Sequence, residues 1–200
     1  EASEEVVELA ELVPAPVMMT NPGKSAIPEN HPLSLGGSTK SRPRTVSEFM
    51  DRADLVFAIG SSLTITNFGP KVPPGKKIVH STNDPSDINK DYRADHAVIG
   101  DAKMVAEALI AEIKRQRGAG DVKALQFLSD EIAAIKKDWI ADWKDHRTSD
   151  EVPINQYRVI QDLMDTIDRD NVIITHDSGS PREQMMSSWE STAAGSYMGW

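Results

Sequence analysis

The sequence contains no cysteine among its 200 residues. Disulfide bonds, thiolate zinc sites and a cysteine nucleophile are therefore excluded, and a reducing, cytoplasmic environment is expected. The sequence also has no apolar run approaching the roughly 20 residues that a membrane-spanning helix requires. Because no signal peptide is visible either, we expect no membrane partner.

Basic clusters are scarce as well. The formal net charge is −9, and the one dense basic stretch, "IKRQRG" at 113–118, lies at the end of an amphipathic segment. Cations at that place are typical of a helix C-terminus, where they interact favourably with the helix dipole. Without a basic surface to neutralise phosphates, nucleic acid is not an expected partner.

Histidine patterns typical of metal sites or catalytic triads are missing. The five histidines, at positions 31, 80, 96, 146 and 176, include no i,i+4 pair and have no nearby carboxylate at ligand spacing. His176, Asp177 and Ser178 are consecutive, but neighbouring residues of a strand point to opposite faces. The residues thus predict neither a histidine metal site nor a catalytic triad made from these neighbours.

The positive signal is an alternation of apolar strands with amphipathic helices, which predicts a parallel α/β sheet. Strands are expected at 15–20, 55–59, 77–81 and 95–101, and Asp101 is expected to cap the helix that follows. Gly118–Gly120 marks a boundary. The pattern predicts a Rossmann-like, nucleotide-binding-like central domain at 1–118, a helical interdomain linker at 119–153, and the beginning of a second α/β domain at 154–200, where "NVIITHDSG" contains another buried strand.

Two local features carry separate predictions. Residues 21–44 are rich in proline and glycine and show no periodicity, which predicts a long irregular loop that binds something or is mobile. Thr45, with Glu48 three residues later, has the spacing of a capping box, in which Thr45 is the N-cap of a helix over 45–53.

Small polar residues and glycines follow each main strand. In "DLVFAIGSSLTITNFGP" (54–70) the apolar run stops at Gly60 and hydroxyl side chains follow. Ligands of open parallel sheets bind at the carboxyl ends of strands, so one rim carrying all of these segments is expected. Turn and cap preferences alone are the alternative explanation. The segments are Gly60–Asn67, Ser81–Asp84, Gly100–Asp101 and Asp177–Ser180.

Asp84 has two readings of equal weight. An acidic residue just past a strand accepts hydrogen bonds from a ribose in many nucleotide sites, whereas in "NDPSD" it could equally cap the next turn. Neither G-x-G-x-x-G nor G-x-x-x-x-G-K-[ST] occurs, so the usual dinucleotide and P-loop signatures are absent.

Three stretches resemble thiamine-diphosphate-dependent enzymes of the acetolactate synthase type: "ADLVFAIGSSLTITNFG", "KKIVHSTNDPSDINKDYRADHAVIGDAKMVAEAL" and "INQYRVIQDLMDTIDRDNVIITHDSGS". Their order and spacing are those of the family's central domain followed by the start of its diphosphate-binding (PP) domain. The opening "EASEEVVELAELVPAPVMMTNPGKSAIPENHPLSLG" resembles the segment after the first central-domain strand. The resemblance covers nearly the whole chain except 119–150 and implies a fragment of a longer protein.

The resemblance implies thiamine diphosphate and Mg²⁺, bound between a pyrimidine-binding domain of one subunit and a PP domain of another, in a homodimer or homotetramer. The implied reaction makes or breaks a C–C bond next to the carbonyl of a 2-keto acid or acyl substrate. The family's catalytic glutamate lies in the pyrimidine domain, and its Gly-Asp-Gly…Asn metal motif would follow Trp200. The isolated chain is therefore expected to be inactive.

The resemblance also implies site residues. Asp177, Ser178, Gly179 and Ser180 occupy the first PP-domain loop, which contacts the diphosphate, and Gly199 and Trp200 approach the loop that contacts the aminopyrimidine. Relatives often have Gly-Gln-His where this chain has "SGSPREQ". In some relatives the central domain binds FAD, ADP or coenzyme A. Because the Arg-Phe-Asp-Asp-Arg of FAD-binding synthases is absent, FAD is not expected, whereas ADP or coenzyme A is compatible with the corresponding positions, which are Gly60, Ser61, Ser62, Asn83, Asp84, Gly100 and Asp101.

Two alternatives stay open. The stretch "ADLVFAIGSSLTI" also resembles sirtuin-like NAD-dependent deacylases, although their zinc-binding cysteines and Gly-Ala-Gly start are lacking. A non-catalytic nucleotide-binding or assembly module would use the same strand ends.

Overall fold

The structure, a computed structural model, describes residues 2–118 and 120–199 and has a mixed α/β architecture. The N-terminal part consists of α1 (Ser3–Leu12), β1 (Val17–Met19), β2 (Ser34–Gly37), α2 (Arg44–Arg52), β3 (Leu55–Ile59), β4 (Lys77–Thr82), β5 (His96–Ile99) and α3 (Ala102–Arg117). It is followed by α4 (Val122–Asp142), α5 (Lys144–Arg147), α6 (Gln156–Thr166), β6 (Ile174–Thr175), α7 (Ser180–Ser188) and β7 (Tyr197–Met198). Within the described ranges, no helix is both long enough and apolar enough to cross a membrane.

All strand pairs are parallel, which confirms the predicted α/β class. The strands form three separate sheets, β1–β2, β3–β4–β5 and β6–β7. The expectation that four strand ends share one rim is therefore wrong for Asp177–Ser180, because β6 pairs with β7 and not with the three-stranded sheet. The other three segments do follow neighbouring strands of one sheet.

The three-stranded sheet packs against the apolar faces of α1 and α3. Leu9 of α1 and Ala106 and Ile110 of α3 form a buried apolar cluster, against which Phe57 and Ile59 of β3 pack. The predicted cap of α3 is confirmed, since the Asp101 carboxylate accepts hydrogen bonds from the backbone N–H groups of Lys103 and Met104 at 3.0 and 3.2 Å. This cap satisfies two donors that the first helical turn leaves free.

Two local predictions in the N-terminal part are wrong. Residues 21–44 are not wholly irregular, because Ser34–Gly37 forms β2 alongside β1. Its "SLGG" sequence lacks the alternation that announces a strand. The N-cap of α2 is Pro43, not Thr45, and the Thr45 hydroxyl instead donates to the Leu35 carbonyl at 2.8 Å. A tertiary contact has thus taken the hydroxyl that a capping box would use.

The strand predicted in "NVIITHDSG" is present but short and partly exposed. Only Ile174–Thr175 pairs with a neighbour, and Ile173 is exposed. The apolar run predicted a buried strand because that pattern is typical of central strands. Here β6 has only the two-residue β7 as a partner.

A buried ion pair fastens the 21–37 segment to the chain around α7. The Lys24 ammonium lies 2.6 Å from the Glu29 carboxylate, and the two side chains are 0% and 4% exposed. Lys24 also donates to the Met186 and Trp189 carbonyls at 3.2 and 2.9 Å. Burial lowers the pKa of Lys24 below the ordinary lysine value, and the attraction of Glu29 opposes that effect.

Glu29 is equally well satisfied. Its carboxylate accepts from the backbone N–H of Gly37 at 2.9 Å and from that of Ser191 at 2.7 Å, and its own N–H donates to the Ser191 carbonyl at 2.7 Å. These contacts join residues on either side of the predicted boundary at Gly118–Gly120. The domain division itself stays a prediction.

We expect Gly60→Val to destabilise the chain by about 1–3 kcal/mol, because Gly60 has φ +62° at the turn that ends β3 and a β-branched residue is strained there. Gly60→Asn is the matched control and should lose less, since asparagine tolerates positive φ better. Thermal unfolding followed by circular dichroism measures both. Equal melting temperatures for parent and Gly60→Val would contradict this account of the turn.

We expect Lys24→Met to cost about 3–5 kcal/mol, because it leaves the buried Glu29 carboxylate without its cation. Lys114→Met is the control. It removes an ion pair with Glu8 whose side chains are 53% and 48% exposed, and such pairs contribute at most about 1 kcal/mol. Urea unfolding measures the free energy of unfolding of both variants. Similar losses in the two variants would contradict the expectation that the buried pair stabilises the chain more than the exposed pair.

Candidate functional site

The ends of β3, β4 and β5 lie side by side, as the sequence predicted. The Gly60 N–H donates to the Ser81 carbonyl at 3.0 Å, and the Gly100 N–H donates to the Thr82 carbonyl at 3.0 Å. These bonds continue the ladder past the strands. They bring the predicted nucleotide positions to one rim, where the residues are exposed or half-buried.

The side chains of this rim are mostly engaged in local structure. The Asp84 carboxylate accepts from the Ser86 N–H at 2.9 Å and caps the short 3-10 helix Pro85–Asp87. Hydrogen bonding from the Ser86 side chain, and next from its backbone N–H, lowers the pKa of the Asp84 carboxyl. The capping reading of Asp84 is thereby confirmed. The Ser61 hydroxyl accepts from the Leu63 N–H at 3.2 Å. Turn and cap roles thus account for these two side chains without a ligand.

His80 is a buried residue that holds the loop after β3 in place. The sequence analysis did not identify it. It is 1% exposed on β4, and its Nε2 lies 2.7 Å from the Ser61 carbonyl oxygen, to which it donates. The position of His80 inside a buried strand was the available signal, because a buried imidazole requires a hydrogen-bond partner.

A second edge lies at the carboxyl ends of β6 and β7. Ile174 pairs with Tyr197 and Thr175 with Met198 in parallel. Both strands therefore run toward the same side, and the segments that follow them, Asp177–Ser180 and Gly199, are brought to one edge. We call this the β6–β7 edge. Trp200, also predicted here, lies outside the described residues.

The N-terminus of α7 opens on the β6–β7 edge. Gly179 precedes the helix with φ +91°, a conformation restricted to glycine at its ψ of −148°, and no side chain caps the first turn. Asp177, Ser178, Gly179 and Ser180 are all exposed. A Cβ at Gly179 would meet no atom within 4 Å. Free N–H groups and the positive end of the helix dipole make such a terminus suitable for an anion.

Gly199 is surrounded closely by polar atoms. A Cβ at this position would lie 2.6 Å from both Asn21 Oδ1 and His176 Nε2. Among the residues that the structure describes, neither of these buried atoms has a hydrogen-bond partner. Asn21 comes from the segment that the buried ion pair fastens in place, so the β6–β7 edge is completed by a residue far away in sequence. The sequence analysis missed Asn21, and no local pattern identifies it.

The triad arrangement rejected on strand geometry is not formed. His176 Nδ1 donates to the backbone carbonyl of Asp177 at 2.9 Å, while the Asp177 carboxylate accepts from the Ser178 N–H at 2.6 Å. In the described part of the chain, no three His, Asp or Glu side chains are grouped so as to hold a metal ion.

Comparison with known proteins gives one consistent result. The profile of the family "Thiamine pyrophosphate enzyme, central domain" matches residues 1–109. A probable acetolactate synthase large subunit of Methanocaldococcus jannaschii is 34% identical over 185 residues, covering 89% of this chain and 30% of that protein. A glyoxylate carboligase of Escherichia coli O157:H7 is 26% identical over 178 residues, covering 84% and 28% respectively.

The chain thus spans about 30% of the length of these curated relatives. The family profile covers more than half of the chain, and the matched relatives extend the similarity beyond it. The resemblance inferred from the sequence is confirmed, and the chain belongs to the thiamine pyrophosphate enzymes.

Proposed function

We propose that the protein carrying this chain uses thiamine diphosphate to make or break a C–C bond next to the carbonyl of a 2-keto acid. Carboligation of the acetolactate synthase type is the favoured reaction, because the matched relatives are named acetolactate synthase and glyoxylate carboligase. In this proposal the chain supplies one wall of the cofactor site and no catalytic residue.

The observation that carries the proposal is the β6–β7 edge. Two segments assigned to the cofactor by resemblance, Asp177–Ser180 and Gly199, are separated by α7 in sequence and lie at the ends of paired parallel strands. A single ligand at this edge would contact both.

The residues present fit the diphosphate group. The exposed N-terminus of α7 has no side-chain cap and offers the N–H groups of its first turn, except at Pro181, which has none. The absence of a side chain at Gly179 lets phosphate oxygens approach the backbone. Beside Gly199, His176 Nε2 and Asn21 Oδ1 have no hydrogen-bond partner within residues 2–118 and 120–199 and are available to polar groups of a ligand. When bound, thiamine diphosphate supplies the electron sink for the carbanion formed next to the carbonyl.

Magnesium, usual for this cofactor, has no ligand group in the part of the chain that the structure describes. We therefore assign it no residue here. We further propose that the isolated chain is inactive, since it spans about 30% of the relatives' length. Assembly as a homodimer or homotetramer and a cytoplasmic location belong to the same proposal.

A nucleotide such as ADP or coenzyme A at the β3–β4–β5 rim is a second candidate function, with a non-catalytic role. It is favoured by the adjacency of Gly60, Ser81 and Gly100 in the rim hydrogen bonds. It is weakened by the local roles that Asp84 and Ser61 already have.

We expect Gly179→Val to weaken thiamine diphosphate binding by the full-length protein about tenfold or more, because the side chain would block hydrogen bonds from backbone N–H groups to the charged phosphate oxygens. Gly118→Val is a matched control. Gly118, at the end of α3, has φ +76° and ψ −141°, close to the values of Gly179, and likewise has free space around its Cβ position. Both variants thus carry similar backbone strain.

Isothermal titration of thiamine diphosphate in the presence of Mg²⁺ measures the binding, and conversion of pyruvate measures the activity. Equal losses in the two variants would contradict the assignment of Gly179 to the cofactor. A full-length parent protein that neither binds thiamine diphosphate nor acts on 2-keto acids with it would overturn the proposed function.

A further inference from the structure

We propose that the chain contains a binding pocket for a small phosphorylated ligand, separate from the β6–β7 edge. The pocket has a volume of about 330 Å³ and is lined by Lys40, Arg42, Asn67, Gly69, Pro70 and Lys71. We call it the basic pocket. Nothing in the proposed function assigns a role to its cations.

Hydrogen bonds hold the two walls of the basic pocket together. The Lys40 N–H donates to the Phe68 carbonyl at 2.9 Å, and Arg42 Nη2 donates to the Lys71 carbonyl at 2.6 Å. The Gly69 N–H donates to the Thr66 hydroxyl at 2.8 Å, and this bond closes the turn from Thr66 to Gly69. These bonds fix the backbone of both walls and the Arg42 guanidinium, and the exposed Lys40 and Lys71 side chains line the same cavity.

The charge of the basic pocket is not neutralised by protein groups. Among the described residues, its lining contains three cations and no carboxylate, in a chain whose net charge is −9. Within residues 2–118 and 120–199, none of the three forms an ion pair, whereas Arg44, Arg52, Lys103 and Lys114 each do. Glu183 reaches the neighbouring Thr39, but its carboxylate is engaged by the Thr39 hydroxyl and by Arg182.

Clustered like charges repel one another, and a multivalent anion removes that repulsion. A phosphate or diphosphate matches this pocket best, because it offers several charged acceptor oxygens to the Arg42 fork and to two ammonium groups. The volume corresponds to roughly ten water molecules and lies at the lower end of small-molecule sites. This size favours a small ligand over a nucleic acid.

Titration of inorganic pyrophosphate into the 200-residue chain tests the proposal. We expect Lys71→Gln to weaken binding about tenfold, the effect of losing one charge-assisted hydrogen bond. This substitution leaves the Lys71 carbonyl, and thus the Arg42 contact, unchanged. Lys123→Gln is the control, since it removes the same charge from an exposed site on α4, outside the pocket. Its affinity should equal that of the parent.

Two further arms make the result specific. ADP in place of pyrophosphate separates a nucleotide ligand from a simple phosphate: tighter binding of ADP identifies a nucleoside contact, and equal binding identifies the diphosphate as the determinant. In both cases the dependence on Lys71 supports the pocket. No binding of either probe by the parent would overturn the proposal. So would a loss in Gly179→Val without a loss in Lys71→Gln, which would place the anion at α7.

Discussion

The buried ion pair of Lys24 and Glu29 is the constraint on which the arrangement of this chain depends. Neither group is stable alone in the interior, because removing a charge from water costs several kcal/mol. Here each is surrounded by partners, as Lys24 donates to two carbonyls and Glu29 accepts from two backbone N–H groups. Those partners come from β2 and from the chain around α7, so the pair is satisfied only when these parts are assembled.

This assembly determines what lies next to the β6–β7 edge. The Ser25 hydroxyl accepts from the Tyr197 N–H at 3.0 Å, and the Ser25 carbonyl accepts from the Gly195 N–H at 2.9 Å. The same segment therefore positions β7 and delivers Asn21 to Gly199. Burial raises the pKa of the Tyr197 hydroxyl. The candidate cofactor edge is thus built from two parts of the chain that are remote in sequence.

The sequence was sufficient where structure follows from short-range patterns. The apolar runs at 55–59 and 77–81 became β3 and β4, and Asp101 capped α3 as its position predicted. The sequence did not predict those contacts whose partners lie far away in the chain. The Thr45 hydroxyl donates to the Leu35 carbonyl and does not cap α2. Glu29 accepts from the N–H of Ser191, which lies 162 positions away in the sequence. The structure brings the two segments proposed for the cofactor to one edge, whereas Asn21 and His80 needed three-dimensional contacts to be recognised.

The segment 61–71 connects the three candidate ligand sites. The segment starts at the end of β3. Farther along, the guanidinium carbon of Arg182 lies 4.3 Å from the centroid of the Phe68 ring. Arg182 lies in the first turn of α7, and the Phe68 carbonyl also accepts the hydrogen bond of Lys40 in the basic pocket. Because the segment is anchored by His80 at one end and by Arg42 at the other, its position at α7 depends on both anchors. The end of β3, the basic pocket and the N-terminus of α7 are consequently linked through this one segment.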